Sequence, residues 1–534
     1  MNLAQEIARR RTFAIISHPD AGKTTLTEKL LLYGGAIHLA GSVKARKTAR
    51  HAVSDWMEIE KQRGISVTSS VLQFDYDGHH VNILDTPGHQ DFSEDTYRTL
   101  MAADSAVMLI DVAKGVEAQT EKLFRVCSDR GIPIFTFVNK IDHFGRNPFD
   151  LMEEIENMLG IRACPMNWPV GINGNYQGIY ERDTGMIHLF AKAGDHGQKK
   201  LAVMSGRPDD ASIREQLGEE VIRQLQDDIE LLDIAGDSFD AEKVAHGQLT
   251  PMYFGSAMTN FGVQPFLESF LTLAPAPAAR QAAEGIVEPD SDAFSAFVFK
   301  IQANMDPKHH DRIVFMRICS GAFTKGMSVV HRQSGKTIRL AQPQQFLATE
   351  RTIIDTAFPG DIIGVFDPGT MGVGDTLCDA KNLVTFADFP VFPPELFARV
   401  TPKDSMKRKQ FLKGMNQLAQ EGAIQVYTQG EGRESFIIGA VGRLQWEVLE
   451  YRLQNEYNVT VELTPLPYSV ARWVLDARPA DLTGLGTSLI IYDSRQRPVI
   501  LLANDWQANW LVERNPNVTF VASPPLTVDT PAAP

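Results

Sequence analysis

A Gly-Lys-Thr triplet at residues 22–24 ends the octapeptide Ser-His-Pro-Asp-Ala-Gly-Lys-Thr, a combination of residues that can bind phosphate. The apolar run Phe13–Ile16 before it is typical of a buried strand, and Thr24–Leu32 after it has the apolar spacing of a helix. Phosphates bind at such a helix start because it presents free N–H groups and a positive dipole end. The lysine reaches the outer phosphates and the threonine hydroxyl binds magnesium. The residues of this predicted phosphate loop are Ser17, His18, Pro19, Asp20, Ala21, Gly22, Lys23, Thr24 and Thr25.

The first position of the phosphate loop departs from the usual pattern, which opens with glycine. This chain has Ser17 there. If the backbone at Ser17 required a positive φ, the serine would cost on the order of 1 kcal/mol.

A second motif follows the apolar run Val81–Leu84, which is typical of a buried parallel strand. Asp85 at the end of this strand is expected to hold magnesium through a water molecule, and the Gly88 amide is placed to sense the terminal phosphate. His89 lies beside that position, although a histidine in such a turn is by itself most often a surface residue. The residues of the motif are Asp85, Thr86, Pro87, Gly88 and His89.

A third motif follows the apolar run Ile134–Val138 and consists of Asn139, Lys140, Ile141 and Asp142. The Asp142 carboxylate can accept two hydrogen bonds, from N1–H and from the exocyclic amine of guanine. Adenine offers no such pair of donors, so it would leave a buried charge unpaired, which is costly enough to set specificity. The dipeptide Ser256-Ala257 follows another apolar run and is expected to donate a backbone N–H to guanine O6.

The segment Arg-Gly-Ile-Ser-Val-Thr at residues 63–68 resembles the first switch of the ribosome-dependent translational GTPases. The resemblance implies that the hydroxyl of Ser66, where threonine is usual, binds the magnesium in the GTP state. It also implies that His89 orients the attacking water, and that Ile65 and Pro19 occupy the positions of an apolar gate beside it.

Four stretches taken together narrow the resemblance to the bacterial class-II peptide-chain release factors. These are the phosphate loop, Arg-Arg-Arg-Thr-Phe-Ala-Ile-Ile at 9–16, Ser-Asp-Trp-Met at 54–57 and Arg-Gly-Ile-Ser-Val-Thr-Ser-Ser at 63–70. This resemblance implies a GTPase that uses GTP, GDP and Mg2+ and contacts ribosomal RNA and proteins. After peptide release it would speed the departure and recycling of class-I release factors from the ribosome, without reading the stop codon.

Composition bounds the class of protein without selecting one. The 534 residues are 43% hydrophobic and 22% charged, enough for about three domains with proper cores. The four cysteines have neither metal-site spacing nor the density of a disulfide framework, so we expect buried thiols. No run approaches about 18 apolar residues and the N-terminus has no signal core, so we expect a cytoplasmic chain without membrane contact. We also expect a monomer.

The charge of the chain argues against DNA as a partner. With 52 basic and 66 acidic residues, the net charge is −14, so the bulk field does not favour coating nucleic acid. Ribosomal contact would then depend on local patches. The clearest candidate cluster is Lys403, Lys407, Arg408, Lys409 and Lys413, which is equally well interpreted as the solvated face of a helix.

Linkers and turn-forming residues along the sequence predict three domains and a tail. An α/β P-loop GTPase domain spans 1–280 and carries an insertion near 165–245, because the distance from Asp142 to Ser256 is too long for a simple crossover. After the Ala-Pro linker, short alternating runs between glycine-containing turns predict an antiparallel β-barrel over 281–388. An α+β domain is expected over 389–523, followed by a disordered tail at 524–534.

The order of elements in the third domain predicts a split βαβ, ferredoxin-like fold. A strand at Phe397–Val400 is expected to lead into a helix capped by Thr401, with Pro402 in its first turn and Asp404 three residues after the cap. Two strands, a second helix and a last strand follow, and a hairpin at Leu489–Leu502 extends the domain. The ribosomal translocase has two more domains after a comparable one, so the length of the chain disfavours translocation.

Three alternatives remain open at the level of the sequence. One is another translational GTPase, of the elongation or ribosome-rescue type. The second is a nucleotide-gated binding module without useful hydrolysis, against which His89 and Ser66 argue. The third is a metabolic enzyme such as the GTPase subunit of a sulfate-activating complex, which would be expected to carry a second barrel where this chain has the split βαβ pattern.

Overall fold

A computed structural model describes residues 2–36, 67–172, 174–190, 203–303, 312–341, 343–347, 350–387, 389, 391–429 and 436–523. The predicted switch residues Ile65 and Ser66 and the predicted tail at 524–534 lie outside the described residues. The chain forms two compact units. The first comprises Met1–His89, Thr99–Ala278 and Gln344–Ile362, and the second comprises Gln90–Arg98, Ala279–Pro343 and Ile363–Pro534.

A seven-stranded sheet with the order β2-β3-β1-β4-β5-β11-β6 forms the centre of the first unit. Only the β2–β3 pair within it is antiparallel. The strands β1, β4, β5 and β11 are buried along their whole length, as expected for parallel strands covered on both faces. The strands up to β11 are β1 (Arg10–Ser17), β2 (Ser70–Tyr76), β3 (His79–Asp85), β4 (Ser105–Asp111), β5 (Ile134–Asn139), β6 (Arg162–Pro165), β7 (Asn167–Ile172), β8 (Asn175–Glu181), β9 (Met186–Phe190), β10 (Val203–Gly206) and β11 (Leu249–Phe254).

Aromatic side chains join this sheet to a helix that packs on it. Phe13 and Phe135 each pack edge-on against Phe270, with ring centroids 4.6 and 4.9 Å apart. The helices up to this point of the chain are α1 (Leu3–Ala8), α2 (Lys23–Tyr33), α3 (Ser93–Met101), α4 (Ala118–Asp129), α5 (Pro148–Leu159), α6 (Ala211–Leu217), α7 (Glu219–Ala235), α8 (Ala241–Ala245) and α9 (Val263–Leu273). Phe270 therefore fixes α9 against the strands whose ends carry the predicted site.

The interval between Asp142 and Ser256 contains a second sheet, antiparallel, with the order β10-β9-β8-β7. The helix α7 packs against it, and the buried Trp168 of β7 donates its indole N–H to Asp228 at 2.9 Å. These elements occupy the stretch in which the sequence predicts an insertion.

Short strands follow the Ala-Pro linker. They pair in the order β18-β17-β23-β14-β15-β22, and the register of β14 with β15 and β23 and of β17 with β18 and β23 is antiparallel. The strands are β12 (Arg280–Ala282), β13 (Gly285–Val287), β14 (Ser295–Ala303), β15 (Arg312–Ser320), β16 (Phe323–Thr324), β17 (Ser328–His331), β18 (Lys336–Arg339), β19 (Gln344–Leu347), β20 (Glu350–Ile353), β21 (Thr356–Ala357), β22 (Ile362–Phe366) and β23 (Thr376–Cys378).

The last part of the chain forms an eight-stranded sheet with the order β27-β24-β26-β25-β29-β30-β28-β31. Its first four strands have the split βαβ arrangement that the sequence predicts, and the hairpin β29–β30 extends the sheet beyond β25. The elements are β24 (Leu396–Pro402), α10 (Arg408–Gln420), β25 (Gln425–Thr428), β26 (Phe436–Ala440), α11 (Arg443–Tyr457), β27 (Val461–Pro465), β28 (Val470–Val474), β29 (Leu489–Tyr492), β30 (Pro498–Leu502), α12 (Asp505–Arg514) and β31 (Phe520–Val521).

The predicted start of the first helix of this domain is wrong. Thr401 and Pro402 belong to β24, where they pair with Glu462 and Val461 of β27. Asp404 is itself the cap: its carboxylate accepts the N–H of Met406 at 2.9 Å and begins a 3-10 turn, Ser405–Lys407, that leads into α10. The sequence pattern places the cap three residues early, because pairing with a strand about sixty residues away extends β24 through the proline.

Two further observations concern the chain as a whole. Cys127, Cys164, Cys319 and Cys378 are free thiols and are buried, which confirms their expected place in the core. Among the described residues, no helix is both long enough and apolar enough to cross a membrane.

Candidate nucleotide site

The predicted phosphate loop joins β1 to α2. Ser17 is the last residue of β1, so the cost of a positive φ does not arise there. The left-handed conformations fall instead on Asp20, with φ of 66°, and on Gly22, with φ of 99°. A Cβ at Gly22 would overlap the amide nitrogen of Asn139, so both conformation and space require glycine at this position.

Polar atoms of the phosphate loop are buried and available to a ligand. The Ser17 hydroxyl and Nδ1 of His18 have no hydrogen-bond partner among the residues that the structure describes. The ammonium group of Lys23 forms a buried ion pair with the carboxylate of Asp85. This cradle at the start of α2 has the composition expected for phosphate and a divalent cation.

The second motif lies directly beside the phosphate loop. Thr86 donates its hydroxyl hydrogen to the carbonyl oxygen of Ile15 at 2.7 Å, and Asp85 ends β3 in register with Ile15. A Cβ at Gly88 would be 3.7 Å from Cα of Pro19, so the two loops approach within van der Waals distance. His89 is half-buried at the end of this turn.

Asn139 connects the third motif to two other loops. Its side-chain amide donates to the carbonyl oxygen of Ala21 at 2.8 Å and accepts the N–H of Ala257 at 2.8 Å. Lys140 adds a second link, because its ammonium group donates to the carbonyl oxygen of Asp20 at 2.6 Å. The phosphate loop, the Asn139–Asp142 segment and the Ser256-Ala257 dipeptide therefore meet at one edge of the sheet.

The backbone N–H groups expected to contact guanine O6 already donate hydrogen bonds within the protein. The Ser256 N–H donates to the carbonyl oxygen of Phe261 at 2.7 Å, and the Ala257 N–H donates to Asn139. A bond from Ala257 to O6 would therefore be shared with, or replace, the bond to Asn139. The Asp142 carboxylate lies at the rim of this region, 3.5 Å from Nε2 of the exposed His143.

The sequence motifs did not include two residues that complete the loops. Asp111 ends β4 and accepts a hydrogen bond from Lys140 at 2.7 Å, and Thr120 accepts the N–H of His18 at 3.1 Å. Burial raises the pKa of Asp111, but the bonds from Lys140, Ala113 and Lys114 outweigh it and hold the pKa below its usual value. The sequence could have indicated Asp111, because it ends a strand that pairs with the strand ending at Asn139. No sequence feature points to Thr120.

Of the three predicted magnesium ligands, two can be located. Thr24 is half-buried in the first turn of α2 and Asp85 is buried, while Ser66 is outside the described residues. Within the described residues, no group of three or more histidine, cysteine, aspartate or glutamate side chains forms a metal cluster elsewhere.

Three family models match consecutive parts of the chain and define its class. The Elongation factor Tu GTP binding domain matches residues 8–276, and Elongation factor G domain 2 matches residues 293–380. With the nucleotide loops described above, these matches identify a translational GTPase. They confirm the predicted combination of an α/β GTPase domain, a β-barrel domain and an α+β C-terminal domain.

The C-terminal part of the chain and the full-length relatives identify the family within the translational GTPases. The C-terminal domain of the class II release factor RF3 matches residues 386–512. Peptide chain release factor 3 of Symbiobacterium thermophilum is 59% identical over 524 residues, covering 98% of this chain and 99% of that protein. The protein of that name from Acaryochloris marina is 52% identical over 531 residues, covering 99% and 98%. The chain belongs to the peptide chain release factor 3 family.

A solved structure supports the fold. A crystal structure of a protein from Thermus thermophilus matches with a TM-score of 0.68 and 23% identity, covering 91% of this chain and 72% of that one. The family assignment confirms the predicted function at the level of a GTPase of translation termination that binds guanine nucleotides.

Proposed function

We propose that this chain is a ribosome-stimulated GTPase that removes class-I release factors from the ribosome after the peptide has been released. The observation that carries the nucleotide part of the proposal is Asn139, whose side chain bonds to the phosphate loop and to the Ser256-Ala257 dipeptide at once. The termination part rests on the family to which the chain belongs.

The triphosphate is proposed to lie at the N-terminus of α2, held by the loop from Ser17 to Thr25. The first N–H groups of α2 point toward this position, and the helix dipole favours an anion there. Lys23 is already desolvated, with 7% of its side chain exposed, so its charge acts in a low-dielectric environment. Phosphate oxygens would replace part of its contact with Asp85.

Thr24, Ser66 and Asp85 are proposed to hold Mg2+, with Asp85 acting through a water molecule. The ion, when bound, neutralises charge on the phosphate oxygens. Lys23, which is paired with the Asp85 carboxylate, is placed to do the same. A buried carboxylate that is shared between an ammonium group and a hydrated cation keeps its negative charge paired throughout.

Guanine is proposed to be recognised by the segment Asn139, Lys140, Ile141 and Asp142. The carboxylate of Asp142 accepts from N1–H and the exocyclic amine, and Ala257 or Ser256 offers a backbone N–H to O6. Lys140 is tied to Asp111 and to the Asp20 carbonyl oxygen, which keeps this segment in place before the base arrives.

Hydrolysis is proposed to require the turn from Asp85 to His89. The Gly88 amide donates to the terminal phosphate and His89 orients the attacking water, with the ribosome setting the histidine in place. When the terminal phosphate leaves, Ser66 and Gly88 lose their contacts and the two switch segments are released.

The proposed partners are ribosomal RNA, ribosomal proteins and class-I release factors. Within the basic cluster, Lys407 donates to the carbonyl oxygen of Asn458 at 2.7 Å and so supports the fold. Lys403, Arg408, Lys409 and Lys413 are exposed and remain the candidate contact with RNA phosphates. We further propose a cytoplasmic monomer without DNA or membrane partners.

We assign the proposed roles to the domains with the boundaries that the sequence predicts. Residues 1–280 bind and hydrolyse the nucleotide, with an insertion near 165–245. Residues 281–388 form the barrel, residues 389–523 form the α+β domain, and residues 524–534 form the tail.

The proposal is tested by following a labelled class-I release factor on stalled termination complexes. The chain is added with GTP, with GDP or with a non-hydrolysable GTP analogue, and factor departure is recorded. Departure that depends on both the chain and GTP supports the proposal. Departure at the unassisted rate, or accelerated translocation in place of factor release, contradicts it and moves the function to the elongation branch.

A further inference from the structure

The residues that follow His89 group with the C-terminal part of the chain. The 3-10 turn Gln90–Phe92 and the first part of α3 belong to the second unit, together with α10, α11 and the sheet around β26. A single peptide bond therefore joins His89, the proposed water-orienting residue, to a segment that is held by the α+β domain.

One contact of this segment is a helix cap supplied from outside the helix. Asp91 accepts the backbone N–H of Leu444, in the first turn of α11, at 2.9 Å, and only 7% of Asp91 is exposed. Helix starts leave such N–H groups without an intrahelical partner, and an aspartate normally satisfies them from the N-cap position of the same chain segment. Here the N-cap position of α11 is Gly442, which has no side chain to do so.

Gly442 leaves the space that Asp91 occupies. Its φ of −147° and ψ of 165° are extended values that any residue adopts, so the backbone conformation does not require glycine. A Cβ at Gly442 would, however, overlap the Asp91 carboxylate. The two residues are far apart in the chain. Gly442 leaves room for the Asp91 carboxylate, and Asp91 supplies the cap that a glycine cannot provide.

A second set of contacts fixes the same segment. Glu94 and Arg98 form a buried ion pair on α3, and Arg98 donates to the carbonyl oxygen of Gly422 at 3.3 Å. Tyr97 packs edge-on against Phe392, with ring centroids 5.8 Å apart. The turn bearing Asp91 is therefore attached at its start by the cap and along α3 by the Arg98 bond to Gly422 and by the aromatic contact.

We propose that Asp91 is a positioning residue for hydrolysis: by capping α11 it anchors the turn that follows His89 to the α+β domain. The inference rests on the proposed role of His89 in ribosome-stimulated hydrolysis. It assigns to Asp91 a role that the nucleotide contacts do not require, since the bond joins Asp91 to Leu444 of the α+β domain, within the second unit.

The competing explanation is that Asp91 only stabilises α11. The two explanations differ for Gly442→Ser, because serine is a good N-cap residue and would satisfy the Leu444 N–H from within the helix while displacing Asp91. A purely stabilising cap would be restored by this substitution, whereas an anchor for His89 would be lost.

The experiment compares the full-length wild type with Asp91→Ala, Asp91→Asn and Gly442→Ser. Thermal unfolding, GTP affinity, and kcat and KM for ribosome-stimulated hydrolysis are measured for each. Asparagine keeps an oxygen that can accept the Leu444 N–H, so Asp91→Asn is the conservative control. The wild type is measured first: if ribosomes do not stimulate its hydrolysis, the proposed function itself fails.

With a stimulated wild type, we expect Asp91→Ala and Gly442→Ser to lower kcat by on the order of tenfold or more, the effect of losing one charge-assisted hydrogen bond. GTP affinity should stay within about twofold, and Asp91→Asn should recover most of the rate. Wild-type kcat in Gly442→Ser, or in Asp91→Ala with only a lower unfolding temperature, overturns the inference. So does a folded Asp91→Asn that is as slow as the alanine variant. If Gly442→Ser does not fold, the comparison of Asp91→Ala with Asp91→Asn decides between the two explanations, because neither substitution adds volume.

Discussion

Asn139 shows how a single side chain can connect the loops of the proposed nucleotide site. Its amide group donates to Ala21 in the phosphate loop and accepts from Ala257 in a loop 118 residues further along the chain. A buried amide with both its donor and its acceptor satisfied at 2.8 Å fixes the relative position of these loops before any ligand binds. The proposed base-recognition residues are therefore preorganised by Asn139 as much as by their own backbone.

The guanine assignment predicts a change of base preference in Asp142→Asn. The asparagine amide can donate to the 2-oxo group of xanthine but no longer accepts both N1–H and the exocyclic amine of guanine. We expect GTP affinity to fall by about a hundredfold and xanthosine triphosphate affinity to rise, because buried donors left unpaired cost about 1–3 kcal/mol each. Equilibrium titration with both nucleotides measures the effect.

Asp150→Asn is the matched control for that experiment, since Asp150 is an exposed carboxylate on α5. It removes the same charge and should leave both affinities unchanged. A preference for GTP that survives in Asp142→Asn would show that another residue reads the base.

The catalytic assignment predicts that His89→Ala separates binding from turnover. A residue that orients the attacking water contributes about 10² to 10⁴ in rate, and it has no part in holding the base or the inner phosphates. Nucleotide affinity should therefore be retained while ribosome-stimulated turnover falls at least about a hundredfold. The exposed His246, at the end of α8, provides the control His246→Ala. Undiminished stimulated turnover in His89→Ala would rule out the assignment.

At the scale of elements, α10 and α11 pack closely because α10 carries a glycine at their contact. A Cβ at Gly414 would lie 2.7 Å from Cδ2 of Leu453 and 3.0 Å from Cγ of Tyr457. Both of these residues are buried in the core that covers one face of the α+β sheet. The glycine therefore sets the distance between the two helices.

Gly414→Ala is predicted to destabilise the α+β domain despite the better helix propensity of alanine. Propensity favours the substitution by about 1 kcal/mol, but overpacking of a dense core costs about 1–3 kcal/mol, so the net effect is a loss. Hydrogen exchange of the 408–420 and 443–457 peptides in the full-length chain should become faster. The exposed Gln410 offers a control, Gln410→Ala, in which exchange should not increase. Slower exchange in Gly414→Ala would mean that the helices can separate without cost.

The sequence predicted elements where the signal is local and failed where pairing is distant. Phe13–Ile16 and Ile134–Val138 are apolar runs between turns, and both are strands in the structure. The strand Val470–Val474 was not predicted from the sequence, because its ladder partners Leu502 and Val521 come later in the chain. Likewise β24 continues past its expected end because of its pairing with β27.

The same distinction applies to the site. The phosphate loop, the turn at Asp85 and the segment at Asn139 could be proposed from the sequence because each follows a buried strand and carries a recognisable pattern. Thr120 was missed, because a threonine inside a helix carries no such pattern and its bond to the His18 N–H exists only in the folded chain. Asp91 was missed for the same reason, since its partner is 353 residues away.

At the scale of the whole molecule, the thiols behave as core residues. Burial raises the pKa of Cys127 to about 12 and that of Cys164 to about 11, so very little thiolate exists near neutral pH. We expect the native chain to resist iodoacetamide at about pH 8 and the urea-unfolded chain to be alkylated at every cysteine. Mass spectrometry of both samples measures this. Rapid alkylation of Cys127 in the native chain would contradict the burial that the structure shows.

The net charge of −14 also acts on the whole molecule, because it opposes non-specific association with RNA. Contact with the ribosome must then depend on restricted surfaces, for which the exposed lysines and arginine at 403–413 are the candidates. Selective stimulation by ribosomes is consistent with such a balance of bulk repulsion and local attraction.

The most direct measurement is single-turnover hydrolysis of GTP and of ATP by the purified chain, with and without ribosomes, in the presence of Mg2+. If one pocket reads guanine and is activated on the ribosome, ribosomes will accelerate GTP hydrolysis by orders of magnitude and ATP will be neither bound nor hydrolysed. Equal hydrolysis of ATP, or a GTP rate that ribosomes leave unchanged, would contradict that claim.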